Sequence, residues 1–166
     1  MECMAVKIKN RHRLKNKEIK QITQKLKNRY DSDFISNFSS VEMGFLDEYQ
    51  IIIIDDVISF FIVDDEIIFT LMGLYLFQPK KFRVIVDMGA IVFVTKGADV
   101  MSPGIVSADT SINKNDYVWI CDEKNFKPIA VGKALITGEQ MNQSSSGKAI
   151  KNIHFVGDRL WKLSHD

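Results

Sequence analysis

The chain has 166 residues, 46% hydrophobic and 26% charged, so it is long enough for one medium or two small domains of ordinary globular composition. Its two cysteines, Cys3 and Cys121, lack the spacing of a zinc site and provide no disulfide framework, which favours a reducing, cytoplasmic environment. The most apolar stretch, residues 51–77, is interrupted by acidic residues that exclude a membrane span, and we expect no secretory signal and no membrane partner.

The near-neutral total of +1 hides a segregation of charge along the chain. Residues 1–30 contain ten Lys or Arg and two acids, a net charge of +8, whereas residues 31–79 contain ten acids and no Lys or Arg. Residues 80–166 contain twelve basic and nine acidic residues, a net charge of +3. This distribution permits nucleic-acid binding, which the total would not suggest. The alternative is that the basic segment only neutralises the acidic one within one domain.

The first 40 residues predict one strand and one helix. Residues 6–9 alternate between apolar side chains and lysine, which favours a short edge strand, and residues 10–15 are predicted to form a loop. Asn16 is suited to be an N-cap, and apolar residues then recur at helical spacing as far as Tyr30, so we expect an amphipathic helix packed on a sheet. Residues 31–40 are predicted to form a loop, with one helical turn around 34–38.

Short apolar segments rich in β-branched and aromatic residues then predict four strands, at 41–46, 49–54, 57–63 and 66–71. The pairs Asp55-Asp56 and Asp64-Asp65 lie between strands, and aspartate tolerates the conformations of tight hairpin turns. Residues 74–77 are compatible with a strand or a connecting turn. Pro79-Lys80-Lys81 predicts a boundary between domains at 1–79 and 80–166.

The second half predicts a compact, partly open β-barrel with few helices. The predicted elements are a strand at 82–87, a helix at 89–96, strands at 98–102, 117–122 and 128–137, a flexible tip around 143–147, and a final hairpin of 152–156 and 159–163. In that hairpin, Gly157-Asp158 is predicted to form the two-residue turn.

The most informative segment is residues 84–105, where an apolar run ends at Asp87 and a short helix is predicted to open at Gly89. Gly97 follows Lys96 at the helix exit, where a residue without a Cβ atom can take a positive φ and end the helix. Pro103-Gly104 is predicted to form a turn. A Lys-Gly-Ala corner of this kind can also accept a phosphodiester, because another backbone can approach it closely.

These residues resemble the PUA domain, an RNA-binding fold. Asp87-Met-Gly-Ala and Lys96-Gly-Ala-Asp-Val-Met-Ser-Pro-Gly-Ile are most similar to the PUA domain of the malignant-T-cell-amplified-sequence family of translation factors and its archaeal relatives. A second set of motifs agrees in order and distance: Ala130-Val-Gly-Lys133, Gly147-Lys-Ala, Lys151-Asn-Ile-His-Phe155 and Asp158-Arg-Leu-Trp161. The resemblance covers roughly the last half of the chain, while the first half matches in layout and in a few positions.

The fold class expected from this resemblance is α+β. A small N-terminal α/β domain with an antiparallel sheet, the pre-PUA domain at 1–79, precedes a PUA-type pseudo-barrel of mixed strands at 80–166. No catalytic constellation is recognisable, since the three histidines are scattered and no nucleotide-binding loop, nucleophile elbow or zinc-spaced set occurs. The paired aspartates favour turns over a metal site. We therefore expect no enzyme activity, no catalytic residue, no cofactor and no metal.

The resemblance implies that RNA lies along the first helix of the barrel, the turn after it and the neighbouring strands. The residues carried over by motif are Lys96, Gly97, Ala98, Met101, Pro103 and Gly104. Nearby cations that could contact phosphate are Lys133, Lys148, Lys151 and Arg159, although any one lysine can equally be an ordinary solvated charge. A secondary basic arm consists of Lys9, Arg11, Arg13, Lys15 and Lys17. Trp119 and Trp161 could stack bases but are more typical of a core.

We expect an RNA-binding, translation-related protein of the cytoplasm, from an archaeon, whose partner is tRNA or rRNA. Family relatives pair with a protein that contains an initiation-factor-like domain and act on the small ribosomal subunit. The aromatic region Phe60, Phe61, Phe69, Tyr75 and Phe77 could offer such a partner a surface or could be core. The alternatives are an accessory subunit in tRNA or rRNA modification and a protein-interaction module without RNA affinity.

Overall fold

The computed structural model describes residues 8–35 and 40–165, which form two compact units. One comprises the described residues within Met1–Pro79 and Lys162–Asp166, and the other comprises Lys80–Trp161. No helix in the described ranges is both long and apolar enough to cross a membrane. The expected α+β class is confirmed, with an antiparallel sheet first and a mixed, barrel-like sheet second.

The first unit is a five-stranded antiparallel sheet in sequential order with two helices. Its elements are β1 (Lys9–Arg13), α1 (Asn16–Tyr30), β2 (Val41–Leu46), β3 (Tyr49–Ile54), β4 (Val57–Val63), β5 (Glu66–Phe69) and α2 (Leu71–Phe77). The predicted hairpin turns are confirmed, because Asp55, Asp56, Asp64 and Asp65 all have positive φ between 45° and 67°. These turns bring the four isoleucines of residues 51–54 into the core, where each is fully buried.

Three expectations for the first unit were wrong or shifted. Residues 9–13 form β1 rather than a loop, since Arg13 pairs with Glu42 of β2. Helix α1 begins with Asn16 itself, and the preceding backbone N–H of Lys15 donates to the Glu18 carboxylate at 3.1 Å. Residues 74–77 belong to α2, because Thr70 ends the fourth predicted strand and its hydroxyl accepts the Gly73 N–H at 3.0 Å.

Two further expectations concern residues outside the described ranges and a group of aromatic residues. Of the predicted strand at 6–9, residues 6 and 7 lie outside the described residues, as does most of the helical turn at 34–38. The aromatic region, for which both a partner surface and core packing were considered, is mainly core. Phe60, Phe61 and Phe69 are buried, and the half-buried Phe77 packs its ring against Phe60 and Phe69.

The second unit is a six-stranded sheet in the order β7-β11-β10-β9-β6-β8, antiparallel except where β6 and β9 run parallel. Its elements are β6 (Arg83–Val86), α3 (Met88–Val94), β7 (Val100–Met101), a 3-10 turn (Ser102–Gly104), β8 (Ile105–Ala108), β9 (Tyr117–Asp122), β10 (Pro128–Ala134), α4 (Gly138–Gln143), β11 (Lys148–Phe155) and the start of α5 (Arg159–His165), whose residues from Lys162 onward belong to the first unit. Trp119 is core, and its indole N–H donates to the Lys81 carbonyl at 2.8 Å, whereas Trp161 is half-buried.

The end of the chain differs most from expectation. The final hairpin is wrong: β11 is one long strand, and residues 159–165 form helix α5. Asp158 accepts the Trp161 N–H at 2.8 Å and the Phe155 N–H at 3.0 Å, so it caps a helix instead of turning a hairpin. Its carboxylate also holds the buried His154 at 2.9 Å. The strand predicted at 128–137 ends at Ala134, helix α4 was not predicted and includes the first residue of the predicted flexible tip, and β8 was not predicted.

Candidate nucleic-acid interface

Helix α3 is short and carries no charged side chain. Its N-cap is Asp87, whose carboxylate accepts the Ala90 N–H at 2.8 Å. The helix ends in a bend at residues 95–99, where Gly97 has a φ of +94° as predicted. Lys96 and Ala98 on this bend are exposed. The bend is therefore open to solvent and accessible to a ligand.

Strand β11 holds the bend from beneath. The Asn152 side-chain amide donates to the Val94 carbonyl at 3.0 Å and to the Ala98 carbonyl at 3.1 Å, while the Asn152 backbone N–H donates to the Asp99 carboxylate at 3.0 Å. A Cβ atom on Gly97 would lie 3.1 Å from the Phe155 ring. These contacts pin both ends of the bend to one strand.

Asn152 is a functional candidate that the sequence analysis missed. Its Oδ1 atom is buried and accepts no hydrogen bond from the described residues, so the side chain serves the bend through its two N–H donors. A bulge in β11 places it there, because Gly132 pairs with Asn152 whereas the adjacent Val131 pairs with His154. Sequence spacing carries no signal of such a register shift.

A groove of about 610 Å³ runs between α3 and the 3-10 turn. Five of the ten residues predicted for the interface line it: Ala98, Met101, Pro103, Gly104 and Lys148. Phe93 also lines the groove but was not predicted, and its side chain is 65% exposed. Met101 is 46% exposed. Apolar side chains this accessible, in a groove bordered by a lysine, are suited to a ligand with flat apolar faces and negative charge.

Two carboxylates border the groove, and both are engaged. Asp87 caps α3, and Asp99 accepts the Asn152 N–H with one oxygen and lies 3.5 Å from the Lys148 Nζ atom with the other. The Lys148 side chain nevertheless remains 63% exposed. The acids beside the groove therefore organise the bend and the lysine, and they leave the ammonium group accessible.

The remaining predicted residues lie outside the groove. Lys96 and Gly97 form the bend itself. Lys133 on β10 pairs with Lys151 on β11, and its Nζ atom lies 5.8 Å from the centre of the Tyr117 ring. Arg159 is the first residue of α5 rather than of a strand. The cations Lys96, Lys133, Lys151 and Arg159 therefore do not line the groove.

One residue of the basic arm is engaged by acids, and the other members are exposed to solvent. Arg11 donates to both carboxylate oxygens of Glu42, at 2.9 and 2.8 Å, and to Asp56 at 2.6 Å. These hydrogen bonds raise the pKa of Arg11 and lower that of Glu42, so this cation neutralises the acidic segment. The other members, Lys9, Arg13, Lys15 and Lys17, are exposed on β1 and at the start of α1.

Two family models match the chain, one on each half. The PUA domain matches residues 82–156, and a domain of unknown function, DUF1947, matches residues 10–76. An uncharacterised protein of Methanocaldococcus jannaschii is 42% identical over 160 residues, covering 95% of this chain and 99% of its own length. Translation machinery-associated protein 20 of Saccharomyces cerevisiae is 33% identical over 71% of this chain and 68% of its own. The chain belongs to this PUA-domain family.

Other matches of the PUA-domain family agree with this assignment. A Drosophila melanogaster homolog of malignant T-cell-amplified sequence 1 is 38% identical, over 46% of this chain and 44% of its own length, which confirms the predicted resemblance. The crystal structure of a hypothetical protein from Pyrococcus horikoshii superposes with a TM-score of 0.85 at 32% identity, covering 93% of this chain and 99% of that one. The PUA domain implies RNA binding, and none of these matches indicates a catalytic family.

Proposed function

We propose that this chain is a non-catalytic, cytoplasmic RNA-binding protein of the translation machinery, which holds a structured RNA such as tRNA or small-subunit rRNA. The observation that carries the proposal is the open bend at residues 95–99, next to an apolar groove with Lys148 at its border. The name of translation machinery-associated protein 20 supports the link to translation.

The proposed mode of binding uses an apolar surface for bases and a cationic surface for phosphates. Phe93 and Met101 offer apolar faces to the base or ribose of an unpaired nucleotide, since stacking on aromatic side chains is the usual way to hold single-stranded RNA. Lys96 and Lys148 lie close enough to the bend and groove to contact phosphates. The outer cations Lys133, Lys151 and Arg159 extend the contact along the RNA backbone.

The first half of the chain supplies a second contact in this proposal. Residues 1–79 are the pre-PUA domain and 80–166 the PUA domain, and the exposed cations Lys9, Arg13, Lys15 and Lys17 of the basic arm face the backbone of rRNA. In this proposal the partners are the small ribosomal subunit and a protein with an initiation-factor-like domain.

The test compares two double variants of matched charge. Lys96→Gln with Lys148→Gln removes the cations of the bend and groove, while Lys80→Gln with Lys114→Gln removes two exposed lysines elsewhere in the same unit. Fluorescence anisotropy with labelled tRNA and a small-subunit rRNA fragment, over a range of salt, gives affinity and salt slope.

We expect the first variant to weaken binding about tenfold and to flatten the salt slope by roughly 1.4, because each phosphate contact on a single strand contributes about 0.7. The control variant should change both values much less. Equal losses in the two variants, or no RNA binding by the unmodified protein at low salt, would overturn the proposal.

A further inference from the structure

We infer that Phe126, on the turn between β9 and β10, is a second stacking site for an unpaired RNA base. This site goes beyond the groove described above and depends on the proposed function only for the class of its ligand. No family motif quoted above includes this turn.

The ring of Phe126 is displayed in a way that suits stacking. The side chain is 49% exposed, and the Arg83 guanidinium lies 5.4 Å from the ring centre. One side of the ring is thus covered by a planar cation, and about half of the side chain still faces solvent. A base placed on the open part of the ring would extend a stack that the protein has already begun.

The turn that carries the ring is rigid. Asp122 accepts the backbone N–H groups of Lys124 at 2.9 Å, Asn125 at 2.6 Å and Lys127 at 3.0 Å. Phe126 itself has a φ of +54°, a conformation that bulky side chains rarely adopt unless their surroundings impose it. The backbone that carries the ring is therefore held in place before any ligand arrives, so binding costs little backbone freedom.

The charges around the ring favour a polyanion over a neutral partner. Lys124 and Lys127 are exposed on either side of Phe126, and Arg83 lies against it. The opposing carboxylates are Asp122, which is buried among backbone amides, and Glu123, which accepts the Met88 N–H at 3.4 Å. Two exposed lysines of the turn thus flank Phe126 in sequence and Arg83 of β6 lies against its ring, a combination of cations and an aromatic ring that is found in single-strand binding surfaces.

The same contact to Met88 links the turn to the groove. Met88 is the first residue of α3, and Gly89 and Phe93 on that helix line the groove. Seven helical residues span only about 10 Å, so a strand seated in the groove would need few nucleotides to reach the turn. An RNA that is too short would occupy the groove alone.

The experiment uses oligoribonucleotide length to separate the two sites. Labelled single strands of 4 and 12 nucleotides are titrated against the full chain, against Phe126→Ala, and against Phe45→Ala as a control. Phe45 is similarly exposed, at 39%, but lies on β2 in the other unit. Near-UV circular dichroism checks that each variant is folded.

We expect Phe126→Ala to weaken binding of the 12-mer about tenfold, within the range for loss of one stacked base, and to leave the 4-mer unchanged. Phe126→Trp should retain affinity and show quenched fluorescence when the 12-mer binds. If Phe126→Ala binds both strands as the unmodified protein does, the inference fails while the groove proposal stands. If the unmodified protein binds neither strand but binds tRNA or the rRNA fragment, the inference alone fails; if it binds none of these RNAs, the proposed function fails as well.

Discussion

Two carboxylates from each unit illustrate two ways in which an acid is held. In the first unit, Glu42 and Asp56 pair with the Arg11 side chain on the surface. In the second unit, Asp122 and Asp158 accept backbone amide groups next to their own position in the chain. Acids whose oxygens accept local backbone amides are less available to lysines, and even Lys148, which pairs with Asp99, stays 63% exposed, so a nearly neutral total charge is compatible with a cationic binding surface. The distribution of charge, rather than its sum, carries the functional information.

The units also differ in what they expose. The large hydrophobic side chains exposed on the described residues of the second unit are Met88, Val92, Phe93, Met101, Val106 and Phe126, whereas the first unit exposes Phe45 and Leu76. Three of the six lie on the seven residues of α3. The first unit thus buries most of its large hydrophobic side chains, while the second exposes apolar surface that is available to a ligand.

The largest expected effects test whether the two units are separate domains. A Cβ atom on Gly73 would lie 1.9 Å from the Ser59 carbonyl oxygen, and one on Gly138 would lie 1.9 Å from the Asp109 carbonyl oxygen. Because backbone must move in each case, Gly73→Ala and Gly138→Ala should each cost about 3 kcal/mol or more in free energy of unfolding. Hydrogen exchange should show lost protection in residues 8–79 for the first variant and in 80–161 for the second.

These two glycine variants are controls for each other. Loss of protection across both units in either variant would contradict the proposed division at 79/80. Retention of RNA affinity by Gly73→Ala would, in addition, locate the groove contact in the second unit alone.

Sequence patterns predicted the elements whose side chains alternate in burial or recur with helical period. They failed where tertiary contacts decide the conformation. Strand β1 has only exposed side chains, so nothing in its pattern predicts pairing. Helix α2 is an apolar segment that resembles a strand until the Thr70 cap is known. Gly157-Asp158 has the composition of a hairpin turn, but the Asp158 carboxylate caps α5.

The candidate site shows the same division. The glycine bend could be predicted because Gly97 has a positive φ, and the Pro-Gly turn because proline suits the first turn of a helix. Asn152 could not, since a bulge decides which side chain of β11 reaches the bend. Phe93 was missed because an aromatic residue in a short apolar helix is ordinarily core.

The next effect tests Asn152 against a matched asparagine. Asn142 accepts the Ala108 N–H at 2.8 Å and donates to the Ala108 carbonyl at 2.9 Å, away from the bend. Asn152→Ala and Asn142→Ala should each lower the free energy of unfolding by about 1–2 kcal/mol, because each loses two hydrogen bonds. Only Asn152→Ala should weaken RNA binding, by about fivefold to tenfold in anisotropy titrations. A similar loss of affinity in Asn142→Ala would reduce Asn152 to an ordinary structural residue.

A smaller effect tests, through the pH dependence of stability, how the Asp122 carboxylate is held by backbone N–H groups. Burial opposes ionisation of Asp122, but its backbone hydrogen bonds outweigh this, and its pKa lies below the usual 3.8. The stabilisation is therefore complete above pH 3.8 and is lost as the pH falls through the lower pKa of the folded state. Asp122→Asn should cost about 1–2 kcal/mol at pH 7, and the gap should close in urea titrations below pH 3.8. A gap that persists at low pH would mean that the charge is not what stabilises the turn.

The smallest effect concerns the charge pair of the first unit. Arg11 and Glu42 are partly exposed, so Arg11→Gln should lower the free energy of unfolding by only about 0–1 kcal/mol, and 1 M salt should abolish the difference because it screens surface pairs. The hydrogen bonds that backbone N–H groups donate to the Asp122 carboxylate should resist the same salt, since they are local and partly buried. Urea titrations of Arg11→Gln and Asp122→Asn with and without salt therefore compare the two units directly. If salt reduced both effects equally, the contrast between side-chain pairing and amide binding would be wrong. If it reduced only the first, Arg11 would be an internal counter-ion, and the RNA contacts of the arm would fall to Lys9, Arg13, Lys15 and Lys17.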